Sequence, residues 1–141
     1  MSVRIFIPAM ILASLIFGAS SILHAADLTP KEVYQLKQQA LEKMDCDAFC
    51  KYVTAENVAG IKQAKDPKQM LVLIRTATSP VEYQVIREEI KGNQAFLYLK
   101  GKAPNPKSGG AVEAGYGKAV FNKEAGGWKF YKEAWQKEEW K

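Results

Sequence analysis

The sequence predicts an α+β domain in which three N-terminal helices pack on a strongly curved, cone-shaped, four-stranded antiparallel meander sheet. Three observations lead there. Helix start signals, Thr29-Pro30 and Asp66-Pro67, each precede apolar residues spaced three and four apart. From Val81 onward the rhythm changes to alternation, the period of a strand. Clusters of Gly, Asn and Pro then punctuate the alternating runs at intervals that suit short turns.

Ahead of the fold, Arg4 and the amino terminus make a short positive region. An apolar run from Ile5 to Phe17 follows, then small residues that lead into the first charges at Asp27. This order is that of a secretory signal peptide. Leu23 and Ala25 suit the −3 and −1 positions, which places cleavage after Ala25, or alternatively after Ala26. Residues 1–25 are therefore expected to be a signal peptide and 26–141 a single domain. The periplasm or the exterior is the expected location, with no stable membrane anchor after cleavage. Pro8 and three serines interrupt the run, which argues against a retained span. The net charge of +5 is modest and the lysines are scattered from Lys31 to Lys141. No basic stripe of the nucleic-acid-binding kind stands out, so no nucleic-acid partner is expected.

In the first helix, Thr29 can cap, Pro30 suits the first turn and Glu32 completes a capping box. Val33, Leu36, Ala40, Leu41 and Met44 form its apolar stripe. Asp45 can cap a short second helix with Cys46, Phe49, Cys50 and Val53 on one face. The two cysteines thus point toward the core. At i and i+4 of a regular helix their Cβ atoms stand about 6 Å apart, wider than the roughly 3.5–4.5 Å of a disulfide. A bridge in a distorted element and two buried thiols both remain open. A redox role would need an exposed, electropositive thiol, which Phe49 and Val53 disfavour. In the third helix, capped by Asp66, the expected buried face is Met70, Leu71, Leu73, Ile74 and Ala77, and Ser79-Pro80 stops it.

The first strand begins with Val81, Tyr83 and Val85 on one face, then shifts parity to Ile86 and Ile90. That shift predicts a bulge or strong bend. A Lys-Gly-Asn turn leads to the second strand, apolar on both sides from Phe96 to Leu99. The Pro/Gly-rich segment 104–110 is a loop. In the third strand, Gly115 and Gly117 share a face and mark a sharp bend or close approach of another group. A glycine turn then starts the final, Trp-led strand.

The segments ALEKMDCDAFCKYVTAEN and AVFNKEAGGWKFYKEAW are similar to elements of the nuclear transport factor 2-like superfamily, in its small secreted bacterial branch. The first resembles the end of that family's first helix, its acidic link and its short second helix. The second resembles its penultimate strand, glycine turn and final strand. The resemblance covers Thr29 to about Gln136 and implies a cone-shaped α+β domain, often dimeric, with both enzymes and non-enzymatic binding modules among its members.

The chemistry of the chain favours the binding modules. The one histidine, His24, lies in the signal segment, so the dehydratase kind of His-Asp dyad cannot be assembled. No aspartate lies on a strand, where isomerase members carry their base. No catalytic residue is assigned. Two cysteines without histidine make an incomplete zinc set, so neither a metal site nor a cofactor is expected. A Glu-dependent enzyme would need Glu82 or Glu113 buried near a tyrosine. The expected function is an exported, non-catalytic binding or accessory module that holds a small molecule or peptide in the cone. The candidate ligand-binding residues are Leu73, Arg75, Tyr83, Phe96, Tyr98, Glu113, Tyr116 and Phe130. Arg75 is offered as the cation for an anionic group. The alternative is a protein-interaction module: a homodimer whose outer sheet face, with Trp128, Trp135 and Trp140, docks an envelope or secreted partner.

Overall fold

The computed structural model describes residues 28–141; the signal-peptide reading and His24 lie outside them. Four helices precede four strands: α1 (Pro30–Glu42), α2 (Cys46–Cys50), α3 (Ala55–Gln63), α4 (Pro67–Ala77), β1 (Glu82–Lys91), β2 (Gln94–Asn105), β3 (Ala111–Glu124) and β4 (Gly127–Gln136). A single 3₁₀ turn, Pro106–Ser108, joins β2 to β3. The sheet is an antiparallel meander in the order β1-β2-β3-β4, the α+β layout expected. None of the described helices is long and apolar enough to cross a membrane.

The helix starts form for the reasons the sequence suggests. Thr29 accepts from the Glu32 amide while the Glu32 carboxylate accepts from the Thr29 amide, closing the capping box. Asp45 and Asp66 cap α2 and α4 through their side chains. The addition is α3, a helix the apolar periodicity did not announce. Thr54, itself buried, caps it by accepting from the Asn57 amide. The Asn57 side chain donates to the carbonyls of Phe130 and Tyr131, so α3 hangs from β4 by polar contacts, and only Ile61 of the helix is fully buried. That is why its hydrophobic signal is weak.

Two bulges bend the sheet, one in β1 between Val85 and Arg87, where the parity shift predicted it, and one in β4 opposite Val120 and Phe121. The helices cover the concave face. Val33 and Tyr34 meet Ala95, Leu97, Leu99, Ala119, Phe121 and Trp128 in one core; Ala40, Leu41, Phe49, Val53, Ile61 and Leu71 form a second between the helices. A short parallel bridge, Val53 to Phe130, with Phe130 donating to the Tyr52 carbonyl and Thr54 to that of Phe130, ties the α2–α3 link to β4.

Glycine permits two tight passages. A Cβ on Gly101 would collide with the Glu82 carbonyl across the β1–β2 ladder. One on Gly117 would meet the Trp135 indole at 2.7 Å, so the ring lies directly on β3. The close approach predicted for Gly115 and Gly117 is thus to the Gln136 backbone and Trp135.

The buried face of α4 differs from expectation. Leu71 is fully buried and Met70 and Ile74 half-buried, but Leu73 is 53 % exposed and Ala77 is exposed. The helix lies on its neighbours by a narrow stripe, so residues one position off it reach solvent. Cys46 and Cys50 are free, half-buried thiols packed against the second core. Burial pushes the Cys50 thiol up, away from the thiolate form a redox centre would use.

Candidate functional site

On the concave side, α1 buries more than its apolar stripe. It is covered both by the sheet and by the other helices, so Tyr34, Lys37 and Gln38 are enclosed as well. Lys37 lies four residues after Val33 and three before Ala40, squarely on the buried face. Its ammonium stands 3.7 Å from Glu133 Oε1, with 2 % of its own side chain and 3 % of that of Glu133 exposed. It also sits 3.8 Å above the Phe130 ring centre and 4.4 Å from that of Tyr34. The other Glu133 oxygen accepts from the Tyr34 hydroxyl at 2.7 Å and the Trp135 indole N–H at 2.8 Å. Tyr83 closes the group, edge-on to Tyr34 with ring centres 5.0 Å apart.

The electrostatics follow from this enclosure. Burial lowers the basicity of Lys37, and the Glu133 carboxylate restores part of it. Burial pushes the Tyr34 hydroxyl well above 10, and the neighbouring Glu133 charge adds to the effect. Tyr83 is raised for the same two kinds of reason. Sequence reasoning assigned no catalytic residue, yet a lysine, a glutamate and a tyrosine meet at the heart of the cone. The charged atoms themselves are enclosed, with 2 % and 3 % of the two side chains exposed. An acid or base needs a substrate atom within hydrogen-bond reach, and here both Glu133 oxygens face protein donors and rings flank the ammonium. The cluster is built as an internal ion pair joining α1 to β4.

Open space lies farther out, around the end of α4 and the β2–β3 connection. One cavity of about 620 Å³ is walled by Ala77, Pro104, Pro106, Ala134 and Trp135, with Thr78, Asn105, Lys107, Ser108 and Lys137 as polar rim and Glu133 behind. A second, about 590 Å³, is walled by Leu41, Pro80, Val81, Pro104 and Val112, with Gln38, Glu42 and Arg75 as its polar groups. Pro104 belongs to both. Val81 and Val112 are 65 % and 50 % exposed, and the Gln38 carbonyl oxygen is a buried acceptor with no partner, its amide nitrogen being given to Ser79 Oγ at 2.8 Å.

The eight candidate residues do not line one pocket. Tyr83 and Phe130 face the helices, whereas Phe96, Tyr98 and Tyr116 project from the opposite, outer face of the sheet. The alternating pattern placed each residue on a face but left open which face the helices cover. Tyr83 and Tyr116 border an outer-face cavity of about 520 Å³ beside Gly101. Arg75 reaches the second mouth cavity. Leu73 stands in solvent. Glu113 is held by the Asn105 amide at 2.8 Å, which with Ser108 keeps its carboxyl below the usual range, the opposite of a buried general base. Glu82 is exposed and pairs with Lys102. Of the three tryptophans assigned to the outer face, Trp128 is core and Trp135 lies with Glu133 on the concave side; Trp140 alone meets the outer face, donating to the Tyr116 carbonyl at 3.2 Å. Sequence reasoning missed Lys37, Gln38, Glu133 and Trp135 as a group. The signal existed in the helical phase of Lys37 and in the shared strand parity of Glu133 and Trp135.

The comparisons with known proteins add a fold and little else. No protein-family model matches the chain, and no curated protein matches it. Among solved structures it is similar to a SEC-C motif containing protein from Rhodopseudomonas palustris, at 16% identity over 79% of each chain with a TM-score of 0.54. The likeness is one of fold, the α+β layout of helices ahead of an antiparallel meander. A nuclear transport factor 2-like protein of unknown function from Cytophaga hutchinsonii aligns at 10% identity and TM-score 0.43, over 77% of this chain and 91% of that one. A protein of the same family from Streptomyces avermitilis aligns at 14% and 0.43, over 72% and 88%. At such identities the likeness concerns architecture.

Proposed function

We propose that the chain is an exported binding module that holds a small molecule or a short peptide segment at the mouth of the cone, without using the buried ion pair as a catalyst. The observation that carries this reading is the pair of cavities sharing Pro104, about 620 and 590 Å³, above a cone filled by Tyr34, Lys37, Glu133 and Phe130. Their size falls within the roughly 300–1,000 Å³ of small-molecule sites. Their walls suit an apolar body, Arg75, Lys107 and Lys137 suit an acidic group, and the unpartnered Gln38 oxygen suits an N–H or O–H donor.

The test has two parts. Native mass spectrometry of the protein recovered from the periplasm after full-chain expression should show a processed N-terminus and a retained small mass. Titration with anilinonaphthalene sulfonate, an apolar anion, should be saturable and should weaken at least about tenfold in Trp135→Ala, roughly the share of an aromatic wall in a well-packed site. A protein found unprocessed in the cytoplasm would remove export. A folded protein with neither retained mass nor saturable dye binding would remove the mouth as a site.

A further inference from the structure

We infer that the outer face of the sheet is a docking surface for an anionic lipid bilayer. The cross-strand register places Arg87, Lys91, Lys100, Lys102, Lys118 and Lys132 on this face, with Glu82 and Glu89 as its acidic residues. The last residues cross it as a strap, seating Glu139 and Trp140 beside Ile86, Tyr98 and Tyr116. This strap adds Glu138 and Glu139 together with Lys137 and Lys141, which leaves the excess of cations in place.

Aromatic rings underlie two of these cations. The Arg87 guanidinium lies 3.9 Å from the Tyr98 ring centre, and Lys118 stands 4.9, 5.6 and 5.6 Å from Phe96, Tyr98 and Trp140. Rings covered in this way do not offer the free faces on which bases of a single-stranded nucleic acid stack. A second copy of the chain would set six cations against six. A bilayer carrying acidic headgroups meets both features left over: a cluster of positive charge in which Glu82 and Glu89 offset only part of Lys102, Arg87 and Lys91, and Ile86, 40 % exposed within the β1 bulge, able to enter between headgroups. Tyr116 and Trp140, half-buried with polar ends, suit the headgroup level. The inference stands on charge placement and does not depend on the mouth cavities.

The test is sedimentation with vesicles, using processed protein recovered after full-chain expression. Vesicles of phosphatidylcholine containing phosphatidylglycerol should carry the protein down, and pure phosphatidylcholine vesicles should not. Raising the salt to several times physiological strength should release it. The double variant Lys100→Glu/Lys118→Glu, shown folded by circular dichroism, should lose at least about tenfold in partitioning, since each basic residue near the surface matters separately. Ile86→Ser should lose a few-fold with its salt dependence unchanged. Equal binding to both vesicle types overturns the inference, as does full binding by the charge-reversed variant. Binding to heparin or an oligonucleotide with none to acidic vesicles would assign the face to a soluble polyanion instead.

Discussion

Glu133 shows how much one side chain can organise when it is enclosed. It faces the Lys37 ammonium through one oxygen and receives Tyr34 and Trp135 through the other, nearly cut off from water. Removing one partner of such a pair strands the other charge in a low-dielectric site, which typically costs about 3–5 kcal/mol. Glu133→Gln should therefore lower stability to urea by that order. Lys37→Met added to it should return much of the loss, because two charges exchanged for neutral groups of similar volume are often tolerated. A double variant as unstable as the summed single variants would show that the ion pair is not the source of the effect. The alkaline range offers a separate check. Tyr34 is raised well above 10 in the folded state, so the unfolded chain loses its proton first, and stability must fall as pH rises through about 10. Lys37 is lowered from 10.5, so the unfolded chain holds its proton longer, and stability should rise with pH up to that value. Tyr34→Phe should flatten the falling limb in urea midpoints measured from pH 8 to 11, leaving the smaller decline owed to Tyr83.

Elements that carry their own signals were legible, and those held by polar contacts were not. The capping box of α1, the β1 bulge and the two glycine approaches follow from local residue chemistry and appear where that chemistry puts them. Helix α3 does not, because Asn57 and Thr54 anchor it rather than an apolar stripe. Asn57→Ala deletes bonds to two β4 carbonyls and should cost about 1–2 kcal/mol; hydrogen exchange should then speed up across Ala55–Gln63 before it does in α1. Unchanged protection in α3 would mean that Ile61 alone secures it. The candidate site fared less well for a related reason. Alternation in β2 shows that Phe96 and Tyr98 lie opposite Ala95 and Leu97, but both sets are apolar, and strand pattern alone cannot say which one the helices cover. Likewise a lysine at a buried helical phase counts as a surface residue until a carboxylate from a distant strand is brought against it.

At the scale of the whole molecule, the two halves of the chain are fastened where sequence distance is greatest. Tyr34 meets Glu133 across 99 positions, and the Val53–Phe130 bridge pins the α2–α3 link to the last strand. The helices, made first, thus have no finished partner until the end of the chain arrives. A chain stopped at Gly126 should be soluble only as a loose, dye-binding helical state without cooperative melting, and a sharp transition in that truncation would disprove the dependence. If it holds, the emerging polypeptide is kept from locking prematurely, since its first-made helices stay uncommitted until the closing hairpin arrives.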